Sequence, residues 1–455
     1  MTDPAAPTPP TPTLLVQGAV LPSGAIDGRW TAPGATRVGG PGERRDIVVT
    51  GSTIVAVEPH RPDRAVPPGA VVVDGRGAAA LPGLVNAHTH NGMTPMRSYA
   101  DDMPLMPWLR EKIWPFEARM TPEDVYWGNR LGCIEMIRTG TTCFNDMYWH
   151  VEHTARAVAD SGLRAQLAVA LADFGDPAQA EAQRAVARDV VERRGAFGPR
   201  VTLAFGPHAN YTVSAPTLRW LGQLAAEHGI ALHTHLSETA GEVASCQRET
   251  GQRPPAYLDD LGLLGPRTFA AHCVHLDDAE IALLAERGVR ALHNPRSNLK
   301  LASGGPMRYA AMRAAGVRVL VGTDSVASNN NLDLFEELHF AALLAKHATG
   351  DPTVLPAGEA LGLATADAAD ALGLAAGRLA PGRLADIVLV DLDHPLLFPG
   401  HDLVADLVYS AHGGAVRTTI CDGRVLMADG VVADEAEVRA EVRGRLARLS
   451  AGTID

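Results

Sequence analysis

The sequence predicts an α/β chain: a (β/α)8 barrel carrying a small β-sandwich built from both chain ends. Three observations predict it. Between residues 81 and 385, short apolar strands alternate with helical stretches, the rhythm of a parallel sheet covered by helices. The strand candidates there come to eight, the number that closes a barrel. Strand-like segments without helices between them occupy residues 14–80 and return after residue 386. A length of 455 residues exceeds one ordinary core but suits a barrel with an appended module.

Taken in order, residues 1–13 (MTDPAAPTPPTPT) read as a flexible Pro/Thr-rich tail. Then come LLVQGAVL, DIVVTGSTIVAVEP and AVVVDGRGAAAL, strands punctuated by Gly, Pro and Asp, with a hairpin turn expected at Gly51. The Gly- and Pro-rich stretch from Pro22 to Arg44 reads as loop, and no helix-period segment precedes residue 100. The barrel strands are LPGLVNAHTH (81–90), TTCFND (141–146), RAQLAVAL (164–171), VTLAFGPH (201–208), ALHTHLSE (231–238), FAAHCVH (269–275), VRALHNP (289–295) and VRVLVGTDS (317–325). Helices between them carry start and stop signals. TPEDVYWGNRLGCIEMIRTG opens on a Thr cap and an acidic first turn and closes at Gly140, and SAPTLRWLGQLAAEHG is expected to be capped by Ser214 and stopped by Gly229. After Asp386, ADIVLVDL, DLVYSA and VRTTICDGRVLMADGVV read as strands with Asp-Gly turns, and EAEVRAEVRGRLARLS as a closing charged helix.

The composition narrows the function. A net charge of −12 argues against nucleic acid or an anionic membrane as partner. No apolar run approaches the length of a membrane span, and the N-terminus lacks the basic and apolar regions of a signal peptide. The five scattered cysteines contain no C-x-x-C pair, so a reduced, cytoplasmic setting is expected, with the thiols acting as small buried hydrophobes.

Most of the barrel strands end in a polar or metal-competent residue: His90, Asp146, His208, His235 with Glu238, His272, Asn294 and Asp324. In such a barrel the C-terminal strand ends form the active-site face, so these groups converge on one mouth. His88 and His90 stand two apart on a strand and share a face, which suits two ligands of one metal. His233 shares the face of His235, and spacing alone does not choose between them. Each residue also has a plain alternative. Asp324 could cap a helix after the last strand, Glu238 could be an exposed helix-start charge, and Glu117 taken alone reads as a solvated helix charge.

The stretches GLVNAHTHNGMTPMRSYADDMPLMPWL, IWPFEARM, EMIRTGTTCFNDMY, FGPHANY, HTHLSE, AHCVHL, HNPRSNLKLASG and GTDSVASNN resemble the amidohydrolase superfamily, and within it the methylthioadenosine/S-adenosylhomocysteine deaminase group. They cover almost the whole barrel, and the terminal β-segments fit that family's composite sandwich. The resemblance implies that His88, His90, His235 and Asp324 bind the metal. It gives Glu238 proton transfer and contact with a ring nitrogen, makes Asp324 a second catalytic and substrate-contacting group that shares uptake of the water's proton with Glu238, and gives His272 a place orienting the attacking hydroxide. His208 and Glu117 become substrate contacts, with Glu117 accepting the two ribose hydroxyls. The pattern H-x-x-E selects His235 over His233, leaving His233 as a packed histidine, and His275 as a structural loop residue. Three imidazoles and a carboxylate suit one Zn²⁺, with Fe²⁺ as the other ion this donor set accommodates. Relatives with two metals use a lysine on the fourth strand, where VTLAFGPHAN has none. The implied reaction is hydrolytic deamination of an adenine nucleoside to its inosine analogue and ammonia, by a homo-oligomer.

One position departs from the group. Its third strand carries an arginine for the amino-acid carboxylate of S-adenosylhomocysteine, where this chain has Val169, which cannot pair with a carboxylate. Arg164 lies too early on the strand, and Arg184 follows an uncertain loop. The expected substrate therefore has an uncharged 5′ group: adenosine, 5′-deoxyadenosine or 5′-methylthioadenosine. Two alternatives differ in kind. One is deamination or dechlorination of another purine, a pterin or a triazine on the same metal site; the other is a non-catalytic amidohydrolase-like scaffold.

Overall fold

A computed structural model describes residues 13–22, 24–30 and 44–450. The expected tail (residues 1–12 of it) and most of the Pro22–Arg44 loop lie outside the described residues. The first sheet joins both chain ends. Its strands are β1 (Leu14–Val20), β2 (Arg44–Thr50), β3 (Thr53–Pro59), β4 (Val71–Asp74), β5 (Ala78–Pro82), β14 (Ile387–Asp391), β15 (Val416–Cys421) and β16 (Arg424–Met427). They run in the order β16-β15-β14-β5-β1-β2-β3, with β4 beside β1. The expected sandwich thus takes the form of one mixed sheet. β5 pairs antiparallel with β14, so residues more than 300 apart in the chain share a register from Ala78↔Asp391 to Pro82↔Ile387. The hairpin at Gly51 and the turn at Asp422–Gly423 are both present.

The second sheet is a parallel barrel of β6 (Leu84–Thr89), β7 (Thr141–Tyr148), β8 (Arg164–Leu171), β9 (Val201–Pro207), β10 (Ala231–Leu236), β11 (Thr268–His272), β12 (Arg290–His293) and β13 (Arg318–Val321). The expected single strand 81–90 is split. Residues up to Pro82 belong to the terminal sheet and those from Leu84 to the barrel, with Gly83 between them; a Cβ there would lie 2.1 Å from Thr142 Oγ1. AVVVDGRGAAAL likewise forms two strands, β4 and β5, around the Gly75–Gly77 turn.

The ends of β6 and β13 meet beneath the mouth. Asp324 donates its N–H to the His88 carbonyl at 2.9 Å, and Asn86 holds Thr323 through its N–H and hydroxyl. Gly322 permits this approach, since a Cβ would sit 2.5 Å from the His88 nitrogen. Barrel closure and delivery of Asp324 to His88 are one event.

The helix Pro122–Arg138 follows its sequence signals, with Thr121 and Asp124 forming a reciprocal capping box. Ser214 precedes its helix (Ala215–His228) as expected, but its hydroxyl does not cap; it donates to Asp173 Oδ2 at 2.8 Å. Two segments differ in type from expectation. DLVYSA closes a helix, Leu403–Tyr409, instead of forming a strand, because Leu403, Val404, Leu407 and Val408 make a buried helical stripe capped by Asp402. Residues 91–117, left without helix before residue 100, contain a 3₁₀ segment (Asn91–Met96) and a helical excursion from Leu105 to Glu117. That excursion becomes one wall of the site.

Candidate active site

Short strands that end together place the expected residues in one cavity at the barrel mouth. It is lined by His90, Glu117, His208, His235, Glu238, His272 and Asp324, with Leu105, Trp108, Ile113, Trp114, Tyr148, Trp149 and Tyr211 around them. His88 lies just below, fully buried. His272, the last residue of β11, and Asp324, three residues beyond β13, sit at φ 74° and 61°, a left-handed conformation disfavoured for side-chain-bearing residues.

Hydrogen bonding decides whether the cluster suits a metal. His90 donates its Nδ1–H to the Met147 carbonyl at 2.6 Å, and His235 donates its own to the His208 carbonyl at 2.7 Å. A carbonyl only accepts, so both Nε2 atoms are left as lone pairs, and they face each other at 3.2 Å. The His88 Nε2 is buried without a hydrogen-bond partner and lies 3.4 Å from Asp324 Oδ1, which is equally 3.4 Å from His90 Nε2. Lone pairs and a carboxylate oxygen converging at such distances fit a cation between them. His88, His90 and Asp324 could together hold a divalent metal, as could His88, His235 and His272.

Asp324 is oriented from behind. Its Oδ2 accepts from Ser297 at 2.6 Å and Ser328 at 3.1 Å, and Oδ1 accepts from the Ser325 N–H at 2.8 Å. The helix cap beyond is Ser325, not Asp324. Burial opposes ionisation of Asp324, but the His88, His272 and His90 side chains beside it outweigh that and hold the acid well below the usual carboxylate range. Burial also drives His90 down to about 4 and His272 and His208 to about 3, so these three rings are neutral imidazoles.

Glu238 is buried rather than exposed at the helix start. Its backbone N–H and that of Ser237 donate to the Glu242 carboxylate at 2.7 and 2.9 Å, while Thr239 caps the helix. Burial, and then the charges of Asp324 and Glu242, push Glu238 well above the usual range. Its Oε2 lies 3.6 Å from His272 Nε2. His272 Nδ1 accepts from the Asn298 amide at 2.9 Å, which turns an Nε2–H toward Glu238. His208 hydrogen-bonds Thr212 at 3.1 Å, and His275 is a loop residue bonded to the Ser303 carbonyl at 2.7 Å.

Glu117 faces this cluster from the opposite wall. Burial raises it to about 7, against the opposing influence of the Tyr148 and Trp149 side chains. Arg164 and Arg184 do not line the cavity. Arg164 is buried between Asp386, at 2.9 Å, and Asp422 in the terminal sheet, and Arg184 reaches Thr217 at 3.2 Å. Glu242, Ser297 and Asn298 had no signal in the sequence, because each acts on another side chain or on backbone.

The amidohydrolase family profile matches residues 79–426, and the chain belongs to that family. Within it, the chain is 53% identical over 379 residues to a 5′-deoxyadenosine deaminase of Methanoregula boonei, covering 83% of this chain and 86% of that one. It is 46% identical over 449 residues to a 5-methylthioadenosine/S-adenosylhomocysteine deaminase of Pelotomaculum thermopropionicum, covering 96% and 98%. Among solved structures, an adenosine deaminase from Xanthomonas campestris with bound zinc superposes with TM-score 0.87 at 37% identity, covering 97% and 99%. An atrazine chlorohydrolase from Arthrobacter aurescens shares the fold, with TM-score 0.84 at 24% identity over 95% and 100%.

Proposed function

We propose that this chain hydrolytically deaminates adenine nucleosides bearing an uncharged 5′ group, giving the inosine analogue and ammonia. The observation that carries the reading is one cavity joining the imidazole–carboxylate cluster to Glu117 across aromatic walls, with no lysine or arginine among its described lining residues. His88, His90, His235 and Asp324 would hold one zinc ion. The zinc-bound deaminase neighbour favours that ion over iron. The metal, when bound, supplies a hydroxide nucleophile at neutral pH by lowering the pKa of water.

The protein's own groups do the rest. Trp108, Trp114 and Trp149 line an apolar slot that accepts a flat purine and excludes bulk water. Glu117 accepts the vicinal ribose hydroxyls, for which a carboxylate has several acceptor sites. Glu238, buried and near His272, takes up the proton that water loses on becoming hydroxide and gives it to the ring nitrogen beside C6 as the C6–O bond forms. The proton of the new C6 hydroxyl then passes to the amine, the C6–N bond breaks, and ammonia leaves, the C6 carbonyl remaining. The His272 Nε2–H, fixed by Asn298, orients the incoming oxygen. A complete ligand set and an aligned proton carrier also weigh against a non-catalytic scaffold.

The test is turnover of adenosine, 5′-deoxyadenosine, 5′-methylthioadenosine and free adenine by the zinc-loaded protein, read as the absorbance change from adenine to hypoxanthine. Nucleosides should turn over well and adenine poorly. Turnover of a free base, pterin or triazine without any nucleoside would overturn the proposal.

A further inference from the structure

His233 lies below the cluster on β10, fully buried and absent from the lining of the cavity. Its Nε2 is 2.7 Å from His88 Nδ1. The three imidazoles of the cluster are therefore supported in two ways. His90 and His235 rest on backbone carbonyls, which only accept and so commit both rings to an Nε2 lone pair. His88 alone rests on a side chain, and that side chain is an imidazole nitrogen able to accept or donate.

If His233 Nε2 donates, His88 carries its proton on Nε2 and presents N–H to Asp324 Oδ1, 3.4 Å away. That arrangement cannot ligate. If His233 Nε2 accepts, His88 keeps Nδ1–H and turns a lone pair toward the same point as His90 and His235. We infer that His233 is a positioning residue that accepts the Nδ1 proton of His88 and so fixes the ligating tautomer and ring orientation of His88. The inference rests on the reading of His88 as a metal ligand. It gives a role to a histidine that the family pattern H-x-x-E leaves only in the packing. The partner nitrogen of a ligating imidazole tunes its affinity, and losing it costs about 10–100-fold in metal binding.

The experiment uses the full chain, stripped of metal, with zinc affinity measured by competition against a chromophoric chelator. His233→Phe fills the space without an acceptor and should weaken zinc binding by about 10–100-fold. His233→Gln places an amide oxygen near the lost Nε2 and should recover most of that affinity. With zinc in excess, His233→Phe should regain turnover with an unchanged KM, because His233 does not touch the cavity. If His233→Phe does not fold, His233→Met supplies the same comparison. Wild-type affinity in the Phe or Met variant overturns the inference, as does a Gln variant as weak as Phe, which marks a packing role. A wild-type chain that binds no zinc fails at the earlier step and overturns the metal reading itself.

Discussion

On one side of the cavity, His90, His235, His272 and Asp324 stand at or just past the ends of barrel strands, His90 and His235 donating to backbone carbonyls and His272 and Asp324 accepting from Asn298 and Ser297. On the other side, Leu105, Trp108, Ile113, Trp114 and Glu117 stand on a helical excursion between β6 and β7 that packs through its own aromatic cluster. The first wall is set by barrel closure and has little freedom to vary. The second is a segment hung over the mouth, where substitutions alter what fits without unsettling the metal ligands. Chemistry and selectivity should therefore separate by mutation.

The largest effects belong to the strand-end wall. Chelation should abolish turnover, and zinc should restore it, while circular dichroism shows the fold retained. Glu238→Gln removes the proton carrier and keeps a hydrogen-bonding side chain of the same size. Its kcat should fall by about 10²–10⁴-fold with KM little changed and zinc content intact. A Glu238→Gln enzyme within a few-fold of wild type would assign the proton transfer to another group.

The excursion wall should behave otherwise. Glu117→Ala removes acceptors for the ribose hydroxyls, charge-assisted hydrogen bonds worth about 1.5–3 kcal/mol. The value of kcat/KM for adenosine should fall by about 10–100-fold, with zinc affinity unchanged. If Glu117→Ala instead released zinc, the two walls would not be independent.

The two walls also differ in how far the sequence discloses them. His88, His90, His235, Glu238, His272 and Asp324 are legible as candidates because each stands at or just past a strand end, while the family resemblance, and not the alternation, separates His235 from His233 and gives each its role. Leu105 and Trp108 lie on one four-residue helical turn and Trp114 on another, joined by a π segment and each too short to carry a periodic signal, and Glu117 stood out only through family resemblance. The supporting contacts are hidden for another reason. His88 meets His233 across 145 residues, and Ser297 meets Asp324 across 27, pairings that exist only once the barrel is closed. The strand assigned to DLVYSA failed because six residues of mixed apolar character fit either period until Leu403 and Val404 are counted with them.

Selectivity for the 5′ group sharpens the comparison at a smaller scale. Val169 has no charge to offer, and Arg164 and Arg184 are committed to Asp386, Asp422 and Thr217. S-adenosylhomocysteine would bring its carboxylate without a cation to meet it. Its kcat/KM should lie about tenfold or more below that of 5′-deoxyadenosine, the loss of one charge-assisted pair. Equal values in a side-by-side assay would place an unrecognised cation near the 5′ end.

The smallest effect is one of pH, and it isolates Glu117 without removing it. Burial holds this acid at about 7. Above that pH it is ionised and accepts both ribose hydroxyls; below it the carboxyl is protonated and loses acceptor capacity. The sign is fixed: kcat/KM for nucleosides falls as pH drops through about 7 and levels off once the carboxyl is protonated, with a total loss no larger than that of Glu117→Ala. Glu117→Gln, neutral at every pH, should start lower and lose that limb, while any limb due to the strand-end wall persists in both enzymes. Superimposable profiles for wild type and Glu117→Gln would mean that the acid limb belongs to the metal side of the cavity, and that Glu117 is already ionised throughout the range.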